Sequence, residues 1–387
     1  MSSPIDNRGS VPNPTRYAYI DALRGYAVLG VIATHCAQHV SDLATPVRWI
    51  SDRGRFGVQL FFVVSAVTLL NSWLTRADGA CRFYARRLFR IAPIFWLAIP
   101  VYLSLGGYRQ KYWAPEGISR FDVISTACFS HGWYPSSINS VVPGGWSIAV
   151  EMTFYLFFPL LMIYIRSIRS AAILAVVTSA AVYFLNPIAT DYLITSMTDQ
   201  PEYLVRYFTN FWFPNQLPVF LIGFVTCFAI RGVTSSWRTN ALAVLLLLTT
   251  GLSLLFFEMP WFEHIQFAIW FAILTFCLAN MQPAILVNRV ICRLGQVSFS
   301  AYLIHFVVID VLMRLLVHAP RWITPLSPTG TMFLAVLFVS ALAITAVASE
   351  LTYRFIEKPM IALGHKTISL IPKWQQSLSA DPAPMSK

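Results

Sequence analysis

The sequence predicts an all-α polytopic membrane protein with about ten transmembrane helices and both termini in the cytoplasm. Three observations carry that prediction. Of 387 residues, 57% are hydrophobic and only 12% are charged, far more apolar than a soluble domain. Apolar runs long enough to cross a bilayer recur along the chain. Lysine and arginine gather in the short stretches between those runs, which is a topology signal. The net charge of +11 therefore points to membrane orientation and not to a nucleic-acid partner.

Ten segments fit a bilayer span: 18–40, 57–75, 90–106, 146–165, 171–186, 207–230, 241–257, 263–281, 296–318 and 331–353. The first follows Arg16 and mimics a signal peptide, but the charged pair inside it argues for a retained span. The fifth is short. The sixth is interrupted by Pro214 and Pro218, which predicts either a broken helix lining a cavity or a kinked, packed one. The loop 76–90 holds Arg76, Arg82, Arg86, Arg87 and Arg90 and is placed in the cytoplasm. Arg8 and Arg16, Arg166 and Arg169, Arg231 and Arg238, Arg289 and Arg293, and Lys358, Lys366 and Lys373 then join it there. Arg48, Arg53, Arg55, Arg109, Lys111, Arg120, Arg206 and Arg321 stay outside. The expected layout is a cytoplasmic tail over 1–16, a membrane domain over 17–360 with an outer loop at 107–145, and a cytoplasmic tail over 361–387. Internal repeats, which mark many transporters, are absent.

Ionisable residues inside spans are costly and by default mark function. Arg24 and His35 are eleven residues apart in the first span. At about 100° per residue they share one face, about 16 Å apart along the axis. Glu151 lies about one turn inside the fourth span, at roughly the depth of His35. A carboxylate there would orient the imidazole and raise its basicity. Snorkelling of Arg24, a satisfied core histidine and an interfacial acid are the plain alternatives. The six cysteines are scattered, without CxxC or metal-ligand spacing, so no metal is expected. Cys36 and Cys128 share the outer side as the one conceivable disulfide. Asp310 with Arg314, and Glu350 with Arg354, are spaced as ion pairs on helices. Glu357-Lys358-Pro359 reads as the stop of the last helix.

Six stretches in order carry a family resemblance: "YIDALRGYAVLGVIATHC", "QLFFVVSAVTLL", "FYARRLFRIAPIFW", "GGWSIAVEMTFYLFFP", "SFSAYLIHF" and "ELTYRFIEKPM". Together they resemble the integral-membrane acyltransferase family 3 over residues 17–360. The resemblance implies an O-acyltransferase of the inner membrane that moves an acyl group, normally acetyl, from cytoplasmic acetyl-CoA to a glycan hydroxyl. It maps the arginine-to-histidine motif onto Arg24 and His35. The tryptophan-serine-to-glutamate motif falls on Trp146, Ser147 and Glu151, and the basic third-span entry on Arg86, Arg87 and Arg90. Two departures stand out: Ser65-Ala66-Val67 replaces Ser-Gly-Phe, and Met152 replaces a second acid. Some relatives carry a hydrolase-like domain after the last span, and none is expected here.

On this reading His35 is the general base and Glu151 orients it, with an acyl-His35 intermediate as the variant. Arg86, Arg87 and Arg90 meet the donor's phosphates, or serve only as topology anchors. Arg24 holds a phosphate or neutralises Asp21. Trp146, Ser147, Trp133 and Asp21 are the candidate substrate contacts, and Trp113 and Tyr134 are further aromatics that can stack on a sugar. His131 is a weaker catalytic candidate. His305, Ser298, Ser300 and Tyr302 line the cavity or bond between helices. A proton-coupled transporter using His35 and Glu151 as a relay is the rival class. Release of free thiol from a thioester separates the two.

Overall fold

A backbone in lipid has to satisfy its own hydrogen bonds, and a helix does so within one segment. The computed structural model describes residues 18–76, 79–256, 262–318 and 329–370. The expected N-terminal tail, Arg8, Arg16, Arg321 and Lys373 lie outside the described residues. The helices run in order as α1 (Ala18–Ala37), α2 (Thr45–Arg53), α3 (Gly57–Thr75), α4 (Ala80–Gly106), α5 (Arg120–Ala127) and α6 (Gly145–Tyr164). They continue as α7 (Ile168–Ser196), α8 (Glu202–Phe211), α9 (Phe213–Gly232), α10 (Trp237–Phe256) and α11 (Glu263–Met281). The last are α12 (Arg289–Gln296), α13 (Ser298–His318), α14 (Gly330–Thr352) and α15 (Lys358–Leu370). Among the described residues, nine helical stretches are long and apolar enough to cross a membrane, with α2–α3, α8–α9 and α14–α15 each one stretch. The chain is a multi-pass, all-α membrane protein.

α1, which carries Asp21, Arg24 and His35, is not among the nine, and its place in the bundle accommodates these polar residues. It is sheathed by other helices, with Leu23, Val28, Ile32 and Cys36 fully buried. Close approach is what small residues in membrane helices permit. A Cβ added at Gly295 of α12 would fall 1.7 Å from Asp21 O, and one at Gly54 would fall 2.2 Å from Gly30 O. The helix bearing Arg24 and His35 is thus the axis of the bundle. By contrast α10 buries only Ala243 among its side chains, and Leu245, Leu248 and Leu252 are exposed.

Four expectations change here. The basic stretch 76–90 is not a loop, because α4 begins at Ala80 and carries Arg82, Arg86, Arg87 and Arg90. Arginine is a good helix former, and Phe83 pins this turn by stacking on Phe158 at 4.8 Å. Glu357-Lys358-Pro359 does not stop the last helix. A π-turn over Tyr353–Glu357 leads into α15, which packs on α4 with Gly364 against Phe89. Residues 361–370 are therefore helical. Cys36 and Cys128 are both free thiols, the first buried and the second exposed. The expected fifth span is longer than predicted, with Pro187 inside α7.

The sixth span is a broken helix. Trp212, extended at ψ 157°, separates α8 from α9, and Pro214 lies in the first turn of α9. The break frees the Asn210 carbonyl, which accepts from Asn215 Nδ2 at 2.7 Å and Gln216 Nε2 at 2.8 Å. The segment 107–145 folds inward. Ser119 and Asp122 form a capping box at α5, and Ser137 Oγ donates to Asp122 at 2.5 Å. That contact holds Ser137, Ile138 and Ser140 fully buried. The ion pairs Arg314–Asp310 at 2.9 Å and Arg354–Glu350 at 2.5 Å form as expected, and Arg293 joins Glu350 at 2.5 Å.

Candidate active site along the first helix

Three cavities follow one another along α1. The first, about 420 Å³, is basic and is lined by Asp21, Arg24, Arg86, Arg87, Arg90 and Glu357 among others. The second is a narrow passage of about 60 Å³ between Arg24, Ser65, Arg87, Glu151, Tyr155 and Tyr302. The third, about 610 Å³, is aromatic and amide-rich, with His35, Gln38, Trp113, Asn139, Trp146 and Tyr302 in its wall. Arg24, Thr68, Arg87 and Arg90 border both the basic cavity and the passage. Val58 and Tyr302 border both the passage and the aromatic cavity.

The arginine end is built by α1 and the first turns of α4. Arg24 reaches Thr68 Oγ1 at 3.4 Å, and Asp21 accepts from Gln296 Nε2 at 3.2 Å. Arg87 lies over the rings of Tyr155 at 5.7 Å and Phe83 at 5.8 Å. Its Nε is buried without a hydrogen-bond partner, and a buried guanidinium left short of acceptors suits an anion. Arg86, Arg87 and Arg90 come together as expected, with Arg24 as a fourth. Glu357, read from sequence as a helix stop, is 5% exposed in the same wall and accepts from Ser300. A π-turn aims it inward, and such turns often mark functional sites.

In the passage, Glu151 accepts from Ser65 Oγ at 2.8 Å and from the Tyr155 hydroxyl. Ser147 Oγ donates to Tyr302 OH at 2.9 Å, and Tyr302 OH donates to Gly144 O at 3.0 Å. Gly144 has φ 74°, a left-handed conformation that glycine takes without strain. It brings the start of α6 against Tyr302, because a Cβ there would stand 2.9 Å from the phenol oxygen.

At the histidine end, His35 Nδ1 is 2.9 Å from Gln38 Oε1. Its ring lies 4.3 Å from Phe306 and 5.2 Å from His305. The structure therefore does not join His35 to Glu151. Glu151 shares its face of α6 with Tyr155, one turn on, and both turn toward the arginines. His35 turns toward α13, and Gln38 takes the place on Nδ1 that Glu151 was expected to hold. Trp146 is 8% exposed, stacked on Phe211 at 4.2 Å at the edge of the aromatic cavity. Trp133 is 42% exposed and borders none of the three cavities. Its place is taken by Trp113 and Asn139.

His131, the weaker candidate, is buried and bonds through Nε2 to Gly145 O at 3.0 Å, so it anchors the start of α6. Burial pushes its pKa down to about 4, against the pull of the Gly145 and Ser125 carbonyls. Tyr155, Gln38 and Thr68 were not singled out from sequence. The first two carry a signal, standing four residues after Glu151 and three after His35. Asn139 carries none, being a loop residue.

Comparison with known proteins decides the class. A family model described as an acyltransferase domain matches residues 17–350. The chain belongs to that acyltransferase family. It is 28% identical over 382 residues to acyltransferase MdmB of Streptomyces mycarofaciens, covering 91% of this chain and 93% of the relative. It is 24% identical over 389 residues to O-acetyltransferase OatA of Staphylococcus aureus strain NCTC 8325, covering 92% of this chain and 58% of that one. It is 25% identical over 398 residues to the putative O-acetyltransferase SACOL0978 of S. aureus strain COL, covering 92% and 59%. The chain thus spans nearly the whole of the first relative and about three fifths of the staphylococcal two. No solved structure matches. As a membrane acyltransferase, the chain is not read as a transporter.

Proposed function

We propose that this membrane acyltransferase transfers an acetyl group from cytoplasmic acetyl-CoA to a hydroxyl of a glycan in the bacterial inner membrane or envelope. The observation that carries the proposal is the row of three cavities along α1, with four arginines at one end and His35 at the other. The names of the staphylococcal relatives support O-acetyl transfer. The lysine and arginine bias of the loops supports a cytoplasmic arginine end and cytoplasmic termini.

In this reading Arg24, Arg86, Arg87 and Arg90 hold the donor's anionic head. The passage between Glu151 and Tyr302 takes its narrow arm. Arg24 and His35 are about 16 Å apart along the helix, on the order of an extended pantetheine. Trp146 and Trp113 offer faces for a sugar ring in the aromatic cavity, and Ser147 steadies Tyr302 at the passage mouth. Asp21 and Glu151 act from within the arginine cluster, as counter-charges that keep it in place.

His35 donates its Nδ1 proton to Gln38 and so presents Nε2 as the base. Nε2 takes the acceptor's hydroxyl proton while the oxygen bonds to the thioester carbonyl carbon. The C–S bond breaks, and the thiolate takes the proton back from Nε2. The test is purified chain in nanodiscs with acetyl-CoA and a cell-envelope extract. Free thiol should appear, with acetyl recovered on glycan hydroxyls by mass spectrometry. Thiol release no faster than from empty nanodiscs would overturn the proposal.

A further inference from the structure

His305 is a buried titratable group whose ring lies 5.2 Å from that of the proposed base, and the reaction as written above does not use it. It stands on α13 with none of its surface exposed. Its Nδ1 is 3.2 Å from the carbonyl of Ala301, one turn earlier on the same helix. A carbonyl only accepts, so Nδ1 carries the ring proton and Nε2 is left as a bare lone pair. That nitrogen is buried with no hydrogen-bond partner. Buried acceptors in native proteins are nearly always satisfied, and one that is not asks for a reason.

Three rings surround it. Phe306, at 4.1 Å, has no proton to give. Tyr302, at 5.8 Å, has its hydroxyl proton on Gly144 O. His35, at 5.2 Å, is the one of the three that acquires a new N–H during the proposed reaction. His305 borders none of the three cavities.

We propose that His305 is a positioning residue for His35, a neutral imidazole whose Nε2 lone pair stabilises the imidazolium formed when His35 takes the acceptor's proton. The proposal rests on the reading of His35 as the general base. His305 itself neither gains nor loses a proton. The hydroxyl proton moves to His35, the O–C bond forms as the C–S bond breaks, and the proton passes from His35 to the thiolate. With His305 fully buried, a lone pair near a forming cation acts far more strongly than it would in water.

The test reads the basicity of His35 directly. Full-length protein in nanodiscs is treated with diethyl pyrocarbonate at pH 8, and the rate of carbethoxylation at His35 is followed by mass spectrometry. His305→Phe keeps a ring against Phe306 but removes the lone pair, and should slow labelling at least threefold. His305→Gln, which keeps an acceptor oxygen, should recover much of the rate. In acetyl-CoA turnover, His305→Phe should lower kcat tenfold or more and leave the donor KM unchanged. Equal labelling of His35 in the wild type and both variants would overturn the proposal. Should His305→Phe fail to fold, nitrogen-15 NMR of the wild type at pH 7 decides. The proton should be on Nδ1 of His305, and an Nε2–H tautomer would overturn the proposal. Absence of any acetyl-CoA turnover in the wild type would instead count against the acyl-transfer reading, since labelling is measured without substrate.

Discussion

At the residue scale, the arrangement separates jobs that the sequence had joined. His35 and Glu151 are legible from sequence as costly groups in apolar helices, and both do line the row of cavities. Their pairing was inferred from depth alone. Depth does not fix azimuth, and the azimuth of Glu151 is set by Tyr155 and Ser65. His35→Ala should therefore lower turnover by about 10²–10⁴-fold, as loss of a general base does, with insertion intact by detergent-solubilised gel filtration. Glu151→Gln should raise the donor KM severalfold and leave kcat near wild type. A drop in kcat alone would restore the orienting role to Glu151. A third residue sets a pH limit. Burial holds His131 at about 4, whereas an unfolded histidine titrates near about 6.5. Its contribution is complete above about 6.5 and is lost as the pH falls toward 4, because the unfolded chain protonates first. Thermal stability in nanodiscs should fall over that window by up to about 3 kcal/mol, and His131→Gln should flatten the profile.

At the scale of elements, apolar periodicity and length located nearly every span, because the bilayer makes those the dominant constraints. The misses have physical reasons. The span holding Arg86, Arg87 and Arg90 begins two to three turns before its apolar run, since helix propensity and the Phe83–Phe158 stack extend it. The last helix survives Pro359 because a π-turn absorbs the mismatch. The break at Trp212 was legible from Pro214, but the capture of the freed Asn210 carbonyl by Asn215 and Gln216 was not. Packing of α1 on α12 was invisible too, because it depends on glycines meeting across distant segments. Gly295→Leu should be among the most damaging changes in the chain, as its Cβ would collide with backbone at Asp21. Overpacking of this kind costs about 1–3 kcal/mol or more, and the melting temperature in detergent should drop accordingly. Gly79→Ala, with nothing within 4 Å, should leave the melting temperature unchanged.

At the scale of the whole molecule, the account rests on one axis through the bundle with a different task at each end. The two ends should lie on opposite sides of the membrane. Cysteines placed at Gly79 and at the exposed Gln110 should react with impermeant maleimide from opposite faces of oriented vesicles. The central claim is that α1 links an anion-holding end to a proton-transferring end, and kinetics on purified variants measures that most directly. Losing one charge-assisted contact is worth about 1.5–3 kcal/mol, so Arg24→Ala should raise the acetyl-CoA KM by roughly tenfold to hundredfold. Arg24→Lys should recover only part of it, since ammonium lacks the bidentate fork. His35→Ala should instead lower kcat with donor binding nearly intact. If Arg24→Ala binds acetyl-CoA as tightly as the wild type, the two ends of α1 do not serve one donor and the account is wrong.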